Sequence, residues 1–123
     1  MISIKCLARI VFLCFFCVGF AQKSAIYTSQ SAKFQSALAL YNTQQYQSAQ
    51  VLFKSLESKT LDVFLKSNAA YYHANCAVRL NQPNAELLIE SFVENYPSST
   101  KHNSAYLEVA NYYFENAKYA YAR

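Results

Sequence analysis

One helical face occurs twice in this chain. Tyr106, Val109, Ala110 and Tyr113 fall at i, i+3, i+4 and i+7, the spacing of a single side of an α-helix. Phe34, Ala37, Leu38 and Tyr41 carry the same spacing 72 residues earlier. A short polar break follows each face, and then a tyrosine and an alanine: Tyr46 and Ala49 in the first case, Tyr119 and Ala122 in the second. A helix pair that recurs along a chain cannot bury its apolar side alone, and must lay it against the next pair. Ala49, Ala85 and Ala122 hold equivalent places, 36 and 37 residues apart. The expected fold class is therefore all-α, with helix-turn-helix units stacked in sequence.

Composition agrees with that expectation and removes several rivals. The 123 residues contain 1 Gly and 2 Pro, too few to supply the positive-φ turns of a sandwich or barrel. Basic residues are scattered singly, with no stripe to meet a phosphate backbone, which argues against nucleic acid as a partner. The formal charge of +4 includes Lys5 and Arg9, both in an N-terminal leader.

That leader is Met1 to Ala21. Lys5 and Arg9 flank the start of the apolar run Ile10 to Phe20, IVFLCFFCVGF. Roughly a dozen apolar residues are too few for a bilayer-spanning helix, which needs about 20. A positive start, a short apolar core and small residues at Gly19 and Ala21 describe a secretory signal peptide cut after Ala21. An uncleaved anchor would need a longer run. A lipoprotein would need a cysteine after small residues, and Cys14 and Cys17 follow Leu13 and Phe16. Export through the Sec route to an oxidising exterior is thus expected. Cys6, Cys14 and Cys17 leave with the leader, so Cys76 remains without an internal partner. In the run AAYYHANCAV it reads as a small buried apolar residue.

Residues 22–30 are polar and small and are expected to form a tether, with Ser29 or Ser31 capping the first helix. Helices are expected over 32–43, 46–58, 63–80, 84–95 and 100–116, with a sixth begun by Tyr119. The third, with Ala69, Ala70, Tyr71, Tyr72, Ala74, Cys76, Ala77 and Val78, is apolar nearly all round, as suits an element with neighbours on several sides. Pro83 suits the start of the fourth, whose inward residues are Ala85, Leu88, Ile89 and Phe92. Glu86, Glu90 and Glu94 form an i, i+4 row on its solvated side. Pro97 stops that helix, and the hydroxyls that follow it cap the fifth.

No catalytic constellation is present. His73 and His102, the two histidines, fall on different helices and would need carboxylates from elsewhere to hold a metal. His73 reads as a packed polar residue and His102 as a surface residue. No general base accompanies Ser98 or Ser99. The 11 tyrosines lie at helical spacing and read as core. The chain is expected to be no enzyme and to bind no metal or cofactor.

The segments Phe34–Leu56 (F..AL..Y....Y..A...F..L) and Tyr106–Ala122 (Y..VA..Y.....Y..A) resemble the tetratricopeptide (TPR) repeat. The resemblance covers residues 31–123, about two and a half helix pairs with the last incomplete. Gln44-Gln45, Asn81 and Ala117 stand where the family's turn glycine would fall, and His73 stands where an apolar residue is expected. The closing run F..NYPSST..N.AYLEVANYYFENAKYAYA looks like repeats of exported bacterial envelope TPR proteins. That resemblance implies a right-handed α-solenoid, placed in the periplasm or at the outer-membrane periphery. It also implies a non-catalytic scaffold that takes a protein or peptide segment in its groove, touching membrane only through the leader or an envelope partner. The groove would be lined by Gln35, Asn42, Tyr71, Asn75, Leu107, Asn111 and Phe114. The alternative is a structural N-terminal spacer, or the docking region of a longer protein with a catalytic domain further on. The aromatic, apolar sequence through Ala122 favours a chain that continues or a truncated reading frame.

Overall fold

A computed structural model describes residue 26 and residues 28–115. The leader and its cut after Ala21, the turn at 116–118, and Tyr119 and Ala122 lie outside the described residues. The chain divides into two units, Met1–Ala32 and Lys33–Arg123, and the buried core belongs to the second. Among the described residues the protein is all-helical: α1 (28–42), α2 (Tyr46–Lys59), α3 (Val63–Arg79), α4 (Ala85–Asn95) and α5 (His102–Glu115). None of these helices is long and apolar enough to cross a membrane.

The helix ends show where local chemistry decided. Residues 28–30, expected in the tether, are helical, so Ser29 and Ser31 lie inside α1 and do not cap it. The stretch from Thr28 to Lys33 holds no Gly or Pro to stop a helix from extending toward the N-terminus. At the other end, Gln44 takes φ 63° and Asn81, after α3, takes φ 54°. The Gln44 N–H donates to Tyr41 O and the Gln45 N–H to Leu40 O; the Asn81 N–H donates to Val78 O and the Gln82 N–H to Ala77 O. Each set is a Schellman closure, normally built on glycine because a Cβ clashes in the left-handed region. The two closures recur 37 residues apart, the spacing of the sequence repeat. The second one carries Pro83 into the turn, two residues ahead of α4, instead of at its first position.

Other caps are polar side chains. Asp62 Oδ1 accepts from the Leu65 N–H at 2.9 Å and starts α3. Ser99 Oγ accepts from the Lys101 N–H at 3.2 Å just before α5. Gln50 and Gln82 exchange two amide hydrogen bonds, of 2.7 and 2.9 Å, tying α2 to the turn between α3 and α4.

The core has two parts, and α3 contributes to both. Ala37 of α1, Ala49, Phe53 and Leu56 of α2, and Ala69 and Cys76 of α3 form the first. Ala70, Tyr71, Ala74, Ala77 and Val78 of α3 join Ala85, Ile89 and Phe92 of α4 and Ala105, Val109 and Tyr113 of α5 in the second. Tyr72 packs against both. Its ring stacks on Phe53 at 5.1 Å and meets Phe34, Tyr41 and Tyr71 edge-on. α3 packs against α2 and α4, and α5 packs against α4 and α3, whereas the backbone of α2 does not come close to that of α4 or α5.

The inward face of α5 differs from the sequence expectation. Ala105, Val109 and Tyr113 are buried, while Tyr106 is 53% exposed. Tyr106 lies about 100° round the helix from Ala105, at the edge of the stripe that meets α3 and α4. On α4, Ala85, Ile89 and Phe92 are buried, Leu88 is half-buried, and Glu86, Glu90 and Glu94 are all exposed.

Replacing Phe53 by alanine should remove the ring between Phe34 and Tyr72 and lower unfolding free energy by about 3–5 kcal/mol in urea titrations. Replacing Gln44 by glycine should raise stability by about 1 kcal/mol, because the left-handed closure then carries no Cβ clash.

Candidate functional site

The residues proposed to line a groove separate into two groups. Gln35 and Asn42 on α1 are exposed, and so are Leu107, Asn111 and Phe114 on α5. The α5 set falls at i, i+4 and i+7, one outward face, with Leu107 and Phe114 each 61% exposed. Tyr71 and Asn75 do not belong with them. Both are 1% exposed, and Asn75 Nδ2 donates to Tyr71 O at 3.2 Å within α3. A helix flanked on two sides has little outward surface left, so these two side chains are core and leave the groove set.

What α3 presents instead is a row of polar contacts to its neighbours. The Tyr71 hydroxyl donates to the Glu108 carboxylate of α5. Burial raises the Glu108 carboxyl above its ordinary value. Lys101 Nζ lies 4.8 Å from the Tyr71 ring centroid and 5.4 Å from that of Tyr72. Further along, the Arg79 guanidinium lies 5.0 Å from the Tyr112 centroid and 5.9 Å from that of Tyr46. The Tyr112 hydroxyl donates to Arg79 O at 3.2 Å. Arg79 Nε is buried without a hydrogen-bond partner, and the two rings supply its compensation. Arg79 thereby links the start of α2 to the end of α5 through the last turn of α3, where a cation also suits the helix dipole. Burial pushes the neighbouring Tyr41 hydroxyl up, and Arg79 opposes that shift.

The titratable groups singled out in the sequence have structural surroundings. His73 Nδ1 is 2.9 Å from Glu57 Oε2, joining α3 to α2 as a packed polar pair. His102 opens α5 and meets the Asn103 side chain at 3.1 Å. Cys76 is fully buried, and burial pushes its thiol up to about 12. Among the described residues, no group of three or more His, Cys, Asp or Glu could hold a metal ion.

A pocket of about 440 Å³ opens elsewhere, between the start of α3 and the α4–α5 loop. Val63, Phe64, Asn68, Asn95, Tyr96 and Pro97 are among its walls, and no charged residue lines it. Leu61, just ahead of α3, is 96% exposed, and the wall residues Val63 and Phe64 are each 72% exposed. The expected helices over 46–58 and 63–80 leave residues 59–62 as a connection running into a helix. The apolar residues there were legible, but their exposure depends on how α3 docks.

In comparisons with known proteins, no family model, curated protein or solved structure matches the chain.

Two outcomes are expected. A carboxyl whose pKa is raised on folding stabilises most below its unfolded pKa, and that contribution is lost as pH rises through the folded value. Wild-type stability should therefore fall more steeply as pH rises above about 4 than that of Glu108→Gln, whose amide oxygen still accepts from Tyr71. Thiol alkylation with peptide mapping should leave Cys76 unmodified in the native chain and label it in urea.

Proposed function

We propose that the chain is a non-catalytic scaffold of the bacterial cell envelope, built as a TPR-like right-handed stack, that holds a protein or peptide segment against its helices. The observation that carries this reading is the open order of packing. α3 is buried on two sides while the backbone of α2 stays apart from those of α4 and α5, which suits stepped pairs better than a closed bundle. The recurrence of the left-handed closures at Gln44 and Asn81 supports a repeated unit. The leader-like composition of residues 1–21 supports export to the periplasm or the outer-membrane periphery.

The surface offered to a partner is the outward face of α5, with Leu107 and Phe114 as apolar contacts and Asn111 between them as an amide able to pair with an extended backbone. Gln35 and Asn42 extend the set on α1. A second reading draws on the same α5 surface. Exposure of Tyr106 and Leu107 also suits a spacer or docking region whose apolar side a following helix pair would cover.

Leu107→Ala combined with Asn111→Ala should leave thermal unfolding within about 0.5 kcal/mol of wild type, because both side chains are exposed. The same pair should abolish capture of envelope proteins cross-linked to the wild-type chain. An unchanged set of captured proteins would remove the α5 face from the proposal.

A further inference from the structure

Two cations beside α3 hold their charged heads over tyrosine rings and make no hydrogen bond through them among the described residues. Lys101 Nζ sits over Tyr71 and Tyr72, and the Arg79 guanidinium between Tyr46 and Tyr112. Tyr72 and Arg79 stand at i and i+7 on α3, two turns apart along one stripe. The rings between the two heads are continuous. Tyr46 meets Tyr41 at 5.3 Å, and Tyr41 meets Tyr72 at 5.1 Å. The result is a strip floored by tyrosine with a cation at each end. Arg79, Lys101, Tyr41, Tyr46, Tyr72 and Tyr112 are all half-buried, so each keeps part of its surface in solvent.

The chain's own acids are committed elsewhere. It has 7 of them, all among the described residues, and none pairs with either cation. Asp62 caps α3, Glu57 meets His73, and Glu108 accepts from the Tyr71 hydroxyl. Glu86, Glu90 and Glu94 are exposed on α4, and Glu115 is exposed at the end of α5. Ring faces attract the positive charge but do not accept the in-plane N–H groups of a guanidinium. Arg79 Nε is the nitrogen shut away, so the terminal nitrogens form the edge left to solvent. That edge matches the two oxygens of a carboxylate.

We infer that this strip takes an extended acidic peptide segment, with one carboxylate on Arg79 and a second on Lys101. The heads are too far apart to grip a single carboxylate, since two turns of α3 span about 10 Å. In a polyproline-II segment, residues three apart lie on one side about 9 Å from each other, which fits that span. Two rings hold each cation in place beforehand, so little side-chain freedom is lost on binding. The inference rests on the reading of the chain as a scaffold for a peptide segment, and sets the grip over α3 instead of on the outward face of α5.

Fluorescence anisotropy tests it, with the full chain and a labelled, end-blocked peptide bearing two glutamates three positions apart and no other charge. Saturable binding is expected, weakening as salt rises and by about tenfold or more when either glutamate is replaced by glutamine. Arg79→Gln and Lys101→Gln should each weaken it about tenfold. Arg79→Gln also removes a packing contact, so Lys101→Glu supplies a check that does not depend on lost structure. It should lose the diglutamate peptide and gain one in which a single glutamate is replaced by lysine. Glu108→Gln, which removes the negative charge beside Tyr71, should bind at least as tightly as wild type. Absence of binding, equal binding of a diglutamine peptide, or no gain by Lys101→Glu overturns the inference. Self-association that both glutamine variants abolish would give the strip to the acidic row of a second copy and overturn it too. Envelope proteins captured equally by wild type and Lys101→Glu would overturn it while leaving the scaffold reading intact. Peptide binding without any captured envelope protein would support the strip and remove that reading.

Discussion

The fold rests on α3 being buried from two sides at once. Its residues divide between two clusters, one with α1 and α2 and one with α4 and α5. Tyr72 belongs to both, stacked on Phe53 and edge-on to Tyr71. Aromatic pairs at these separations contribute about 0.5–1.5 kcal/mol each beyond the area they bury. α2 therefore reaches α4 and α5 chiefly through α3, since its backbone does not come close to theirs. Polar links reinforce the same element on each flank: His73 with Glu57 toward α2, Tyr71 with Glu108 toward α5, and Arg79 between Tyr46 and Tyr112.

The turns matter as much as the core, because they fix where each helix stops. Gln44 and Asn81 adopt the left-handed conformation without being glycine. Asparagine tolerates that region better than most residues, and glutamine less so. Both turns persist because two backbone hydrogen bonds close each one and the chain beyond is already committed, to α2 in one case and to the Gln50–Gln82 amide pair in the other.

Much of this architecture was legible in the residues. Period 3.6 located five helices in order, and the polar or proline-bearing breaks set their boundaries to within a few positions. Cys76 and Ala37, Ala49, Ala69, Ala70, Ala74, Ala77 and Ala85 read correctly as core, whereas Ala110 is only half-buried, and the acidic row of α4 reads correctly as solvated surface. The misreadings share one cause. The TPR resemblance implies a groove place for Tyr71 and Asn75, but a helix covered on two sides has no free side to offer them. Tyr106 lay one position away from the stripe that α3 and α4 actually cover. The Arg79 and Glu108 contacts join residues more than 25 positions apart, and nothing local announces them. The exposure of Leu61, Val63 and Phe64 was hidden for the same reason.

Among the described residues alanine supplies eight of the seventeen buried apolar side chains, including the contacts of Ala37, Ala49 and Ala69 where α1, α2 and α3 meet. Helices that approach over alanine are spaced by what is missing, so the volume between them has no slack. Vulnerability to substitution is then lopsided. Trimming one of these alanines to glycine costs about 1 kcal/mol of helix propensity, whereas adding even a branched residue must push two backbones apart. Drift in this sequence is held less by loss of bulk than by a ceiling on it, and that ceiling lies on the smallest residues of the chain.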